Sequence, residues 1–191
     1  MKQLYLWLFL TLLLPTSLLA QYEYEPSQEF PFGRLNPEAA PQTADYAQLI
    51  GTCVCDSESR KPDGTWNDVE KMFWTFKYIM NGTGVQDMTL KPDGAHSGSI
   101  RQFIADSSRW YVHYYSNKSP STALPAWEGN KKDGEIILYR EQKAPNGMDG
   151  FYKIRFYDIS DAGYKWLGAW VSPDESIVYP TWKISCIREQ E

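Results

Sequence analysis

The chain has 191 residues, 42% of them hydrophobic and 15% aromatic, and a formal net charge of −5. That is enough apolar material for one domain with its own core. A mildly acidic chain without basic clusters lacks the phosphate-neutralising charge and the steering field that nucleic acid or an anionic membrane surface would demand, so those partners are set aside.

Lys2, the apolar run from Leu4 to Leu14, Pro15 and a small-residue region ending at Ala20 have the layout of a secretory signal peptide, with cleavage expected between Ala20 and Gln21. The run is shorter than the roughly 20 residues a spanning helix needs, and no later segment is apolar enough to cross a bilayer. Residues 1–20 are therefore read as the signal, and the mature chain as secreted or periplasmic. Residues 21–45 carry Pro26, Pro31, Pro37 and Pro41 among polar and acidic residues and read as an extended arm, with Asn36-Pro37-Glu38 opening a short helical turn near Ala39 and Ala40.

Residues 46–191 read as one all-β domain. Lys61-Pro62-Asp63-Gly64 and Lys91-Pro92-Asp93-Gly94 repeat one turn tetrapeptide, and Asn81-Gly82, Asp133-Gly134, Asn146-Gly147 and Asp149-Gly150 supply further corners. Between them the pattern predicts strands near 50–58, 66–80, 83–90, 97–104, 109–116, 135–142, 151–159, 163–171 and 177–188, with a longer connection from Asn117 to Asp133. An antiparallel meander of this length closes on itself to avoid open edges. The expectation is a single up-and-down barrel of about nine strands, preceded by the arm.

Charge tells which face looks in. Lys71, Thr75 and Lys77 oppose Met72, Trp74, Phe76, Tyr78 and Met80; Lys153 and Arg155 oppose Tyr152, Ile154 and Phe156; Lys165 alternates with Tyr164, Trp166 and Trp170; Lys183 opposes Trp182, Ile184 and Cys186. Charged side chains must be solvated, so the aromatic set faces inward.

Cys53 and Cys55 share one strand face, and Cys186 lies near the C-terminus. If the first and last strands are neighbours, Cys186 pairs with Cys53 or Cys55, as export permits; three buried thiols are the alternative. Cys-x-Cys alone lacks the further ligands of a metal site. His96 follows a turn. His113 lies in Trp110-Tyr111-Val112-His113-Tyr114-Tyr115, on the strand face of Tyr111 and Tyr115, and is read either as a lumen residue or as a hydrogen-bonded histidine on a partly polar face. Arg101, on the face of Ser99 and Phe103, needs neutralising if that face is interior: Asp87, Asp158 or a ligand carboxylate would serve. No G-x-S-x-G elbow, glycine-rich phosphate loop or other reaction-specific motif occurs, so no catalytic residue and no cofactor are assigned. Asn81-Gly82-Thr83 and Asn117-Lys118-Ser119 match the N-glycosylation pattern.

Gly33-Arg34-Leu35-Asn36-Pro37-Glu38, Leu49-Ile50-Gly51-Thr52-Cys53, Asn81 to Asp87 and Phe156-Tyr157-Asp158-Ile159-Ser160 resemble a family of secreted bacterial lipocalin-like (calycin-type) proteins. Gly51-Thr52-Cys53 stands where such barrels carry Gly-x-Trp, whose Trp plugs the closed end. The resemblance implies a barrel, a cavity and an unassigned ligand, and brings no reaction with it.

The function expected from these residues is binding of a small apolar or aromatic molecule in the lumen by Trp74, Phe76, Tyr78, Arg101, His113, Phe156, Trp166, Trp170 and Trp182. The alternatives are an extracellular carbohydrate binder stacking sugars on Tyr111, Tyr115 and Trp127, a structural or interaction module docking through the arm, and a barrel-type enzyme using His113 and Arg101. Nothing in the chain sets an oligomeric state.

Overall fold

The computed structural model of the protein describes residues 22–188, so the expected signal peptide lies outside the described residues. Ten strands follow in chain order: β1 (Gly51–Ser59), β2 (Glu70–Ile79), β3 (Gly84–Leu90), β4 (His96–Ile104), β5 (Arg109–Ser116), β6 (Ala126–Lys132), β7 (Glu135–Glu141), β8 (Phe151–Ser160), β9 (Gly163–Val171) and β10 (Val178–Arg188). Each pairs antiparallel with its neighbours in sequence, and β1 pairs with β10 to close a barrel.

The expected count of nine is corrected to ten. The extra strand, β6, lies inside the stretch read as a long connection. Closure itself demands it: in an up-and-down meander an odd count would bring the first and last strands together parallel, whereas an even count closes the ladder antiparallel throughout. β6 shows little strand signal because only Trp127 is deeply buried on it. Gly129 has no room for a side chain, since a Cβ there would meet the Ile137 carbonyl at 2.0 Å.

Alternation sets the two faces as charge predicted, except at Met80, which lies beyond the end of β2 at φ +55° and is exposed. Met72, Trp74, Phe76 and Tyr78 are buried while Lys71 and Phe73 are exposed, and Tyr164 and Trp166 are buried around the exposed Lys165. The two Lys-Pro-Asp-Gly turns fold identically: the lysine N–H donates to the carbonyl of the residue after glycine, at 2.7 Å in one and 3.0 Å in the other. Each aspartate then accepts from the backbone N–H two residues on (Asp63 from Thr65, Asp93 from Ala95).

One end of the barrel is sealed. A 3-10 helix, Pro41–Leu49, forms slightly later than the expected turn at Ala39 and Ala40 and lays Tyr46 and Leu49, both fully buried, across that end. Tyr46 packs edge-on against Trp110 at 4.7 Å and against Phe156 at 6.4 Å. Arg188, at the end of β10, donates to the Gln48 and Ile50 carbonyls at 2.7 Å each and ties the helix down. Residues 22–36 lie over the β2–β3 turn: Tyr78 N–H donates to the Phe32 carbonyl at 2.9 Å, and Asn36 N–H to the Gly82 carbonyl at 3.2 Å. Gly82 has φ +76°, and a Cβ there would meet the Arg34 carbonyl at 2.4 Å, so only glycine lets the arm approach.

Cys55 and Cys186, direct cross-strand partners on β1 and β10, are joined by a disulfide; Cys53 is a buried free thiol, pushed up in pKa by its burial.

Burial pushes the Tyr46 hydroxyl up to about 12, against the opposing pull of Arg101. An unfolded tyrosine loses its proton near 10. Between those values the unfolded state has released a proton that the native state still holds, so stability falls as pH rises. The expected slope from this group is about 1.4 kcal/mol per pH unit between roughly pH 10 and pH 12, and nothing below pH 9. Urea midpoints measured from pH 8 to 11.5 should show the decline, and Tyr46→Phe should make it shallower, with Tyr164, whose burial also pushes its hydroxyl well up, keeping part of it.

Candidate functional site

Below the opposite, open end lies a cavity of about 420 Å³ inside the barrel. Its walls differ in chemistry. Trp74, Trp127, Trp166, Trp182, Tyr152, Ile154 and Ile184 supply an aromatic and aliphatic side; Asp87, Thr89, Ser97, Ser99 and Arg101, from the paired strands β3 and β4, supply a polar one.

Arg101 and Asp87 form an ion pair whose side chains are 2% and 4% exposed. Trp74 Nε1 donates to the second Asp87 oxygen at 2.9 Å, so both carboxylate oxygens are engaged. The guanidinium is flanked by the rings of Phe76 at 5.1 Å, Tyr46 at 5.2 Å and Phe156 at 5.7 Å. A charge in such a place is tolerated only with its counter-charge in contact, and Asp87 supplies it. Asp158, the other candidate, instead meets Lys165 at 2.9 Å, where both side chains are largely exposed.

The mouth is edged by Lys91, Ala95, Ser116, Lys118 and Ser119. Lys91 pairs with Glu70 and lies 5.6 Å over the Trp182 ring, and Lys118 meets Asp93 at 3.4 Å.

Of the residues expected in the lumen, Trp74, Arg101, Trp166 and Trp182 line the cavity. Four others are buried but do not reach it. Phe76, Tyr78 and Phe156 belong to the packed core, with Phe76 and Phe156 edge-to-face at 5.9 Å. Trp170 is committed elsewhere: its Nε1 donates to the Gln142 carbonyl at 2.9 Å, and its ring covers Gly150.

His113 is a correction. The register pairs Arg101 with Val112, which puts Val112 and Tyr114 inward and His113 on the outer face, where its Nδ1 lies 2.7 Å from the Leu124 carbonyl. Arg101 and His113 therefore point to opposite sides of the wall and share no site. The sugar-stacking row fails for the same reason: Tyr111 and Tyr115 follow His113 outward, while Trp127 pairs with Val112 and turns inward. Lining residues missed from the sequence include Val112, Tyr114 and the hydroxyls of Thr89, Ser97 and Ser99, while Met72 and Ile154, read as inward-facing but not as part of the site, also line it. Counting in steps of two from Arg101 finds Ser97 and Ser99.

A wider hollow of about 1270 Å³ lies on the outer wall along β6 and β7, lined by Tyr139, Phe151 and a majority of polar residues. Part of its charge is paired: Arg109 meets Glu128 at 3.6 Å, and Glu175 meets Lys153 at 2.6 Å. No group of three His, Cys, Asp or Glu side chains able to hold a metal ion occurs among the described residues, and none of their helices is long and apolar enough to cross a membrane.

The fold and this geometry define a closed antiparallel barrel with one sealed end and a lined hollow, an architecture compatible with the calycin type. A scan against protein-family models finds no match to the chain, and a search of curated proteins finds no significant match.

Proposed function

We propose that the protein holds a small apolar or aromatic molecule in its lumen, and that it does so outside the cytoplasm. The observation that supports this is the 420 Å³ hollow, which four tryptophans border without filling. The Cys55–Cys186 bond fits an oxidising compartment, in keeping with the signal-like N-terminus.

A bicyclic aromatic of about ten heavy atoms, gaining roughly 0.6 kcal/mol per atom, would bind with a dissociation constant of tens of micromolar. Titration with N-phenyl-1-naphthylamine tests this, because its emission rises on leaving water. A saturable rise is expected for the wild type. Ile154→Trp combined with Ile184→Trp, which fills the lumen from two strands, should weaken binding by at least about tenfold. His113→Ala, altered on the outer face, should leave it unchanged. No saturable signal from the wild type ends the proposal.

A further inference from the structure

Resting on the lumen reading above, we infer that the molecule held there is a planar aromatic with a neutral hydrogen-bonding group, such as a hydroxyl, carbonyl or amide, on one edge, and that Ser99 selects it. Three observations converge on this.

The polar side of the lumen is a continuous patch built by register. Asp87 faces Ser99 and Thr89 faces Ser97 across β3 and β4, so these side chains lie against one another opposite the tryptophans. A ligand filling the space between meets rings on one side and polar atoms on the other.

Most of those polar atoms are already satisfied by the protein. The Thr89 and Ser97 hydroxyls hydrogen-bond each other at 2.6 Å. Asp87 accepts from Arg101 and Trp74. Ser99 is 6% exposed, lines the cavity and makes no side-chain hydrogen bond among the described residues, and two donors on lining residues, Trp127 Nε1 and Arg101 Nε, are likewise buried without a partner. A hydroxyl this deep, open only to the lumen, is a group for the occupant to engage.

The charges cancel. Arg101 is matched by Asp87, Lys91 by Glu70 and Lys118 by Asp93. An ionised head group entering the lumen would lose its water and find no uncompensated charge in return, so the polar group on the ligand is neutral. The flat part follows from the walls: Trp74 and Trp166 stand at 70° with centroids 6.3 Å apart, and Trp166 and Trp182 at 78° and 5.5 Å. Rigid ring faces and edges of this kind complement a rigid ring.

The test is isothermal titration calorimetry of the full mature protein with three matched probes: naphthalene, 2-naphthol and 2-naphthoate. The expected order is 2-naphthol tightest, by about fivefold over naphthalene, with 2-naphthoate weakest. In Ser99→Ala the advantage of 2-naphthol over naphthalene should vanish while naphthalene binds as before. If naphthalene equals or exceeds 2-naphthol in the wild type, the polar-edge inference is wrong although the lumen still binds. If 2-naphthoate is tightest, Arg101 rather than Ser99 reads the ligand and the inference is equally overturned. Failure of all three probes to bind overturns the lumen reading itself.

Discussion

Replacing Asp87 with alanine is expected to lower the stability of the protein by about 3–5 kcal/mol, which urea denaturation will read as a large drop in midpoint. The cause is the Arg101 guanidinium, 2% exposed and flanked by the rings of Tyr46, Phe76 and Phe156. Without Asp87 it has no counter-charge in contact, and Trp74 Nε1 loses its acceptor as well. Removing both charges together, as Asp87→Leu with Arg101→Met, should recover most of that loss, because the pair's mutual attraction largely offsets its own desolvation. A loss under about 1 kcal/mol for Asp87→Ala would show that Arg101 is neutralised by something other than Asp87.

The second large effect belongs to the seam between β1 and β10. Cys55 and Cys186 are 131 positions apart in sequence, so their bond removes much of the freedom of the unfolded chain. Cys55→Ala with Cys186→Ala should cost about 2–5 kcal/mol, equivalent to a melting temperature lower by roughly 5–15 °C for a domain of this size. Cys53→Ala is the internal comparison: it deletes a buried thiol and no covalent link, so its effect should stay near 1 kcal/mol. Equal losses in the two variants would mean that the seam is held by its ladder and packing alone.

How much of this could be read from the chain varies by element. β2, β8, β9 and β10 each set lysine or arginine against aromatic residues at alternate positions, and a lysine cannot be buried unpaired, so the inner face was readable there. β6 was not: Gly129, Asn130, Lys131 and Lys132 favour no strand, and its pairing with β5 spans only Trp110–His113. β5 offered rings at both parities, with Trp110 and Tyr114 on one and Tyr111 and Tyr115 on the other. Nothing local breaks that tie; the pairing of Val112 with Arg101 does, and this placed His113 outside. Alternation also tells inside from outside without telling depth along the barrel axis. Trp74 and Phe76 are neighbours on one face, yet Trp74 borders the hollow and Phe76 is packed into the core. That difference comes from the 3-10 helix and Tyr46, a segment that no strand pattern anticipates.

Among the described residues, the plug formed by Pro41–Leu49 closes one end of the barrel and the arm covers the β2–β3 turn, so a molecule held in the lumen as proposed would have a single doorway. Such a vessel has no through-traffic. Whatever enters must leave by the way it came, and water displaced on entry shares the same passage. Residence time would then be governed by the segments framing that doorway, Lys91–Ala95 and Ser116–Ser119, whose rearrangement could slow exchange without altering a single wall contact.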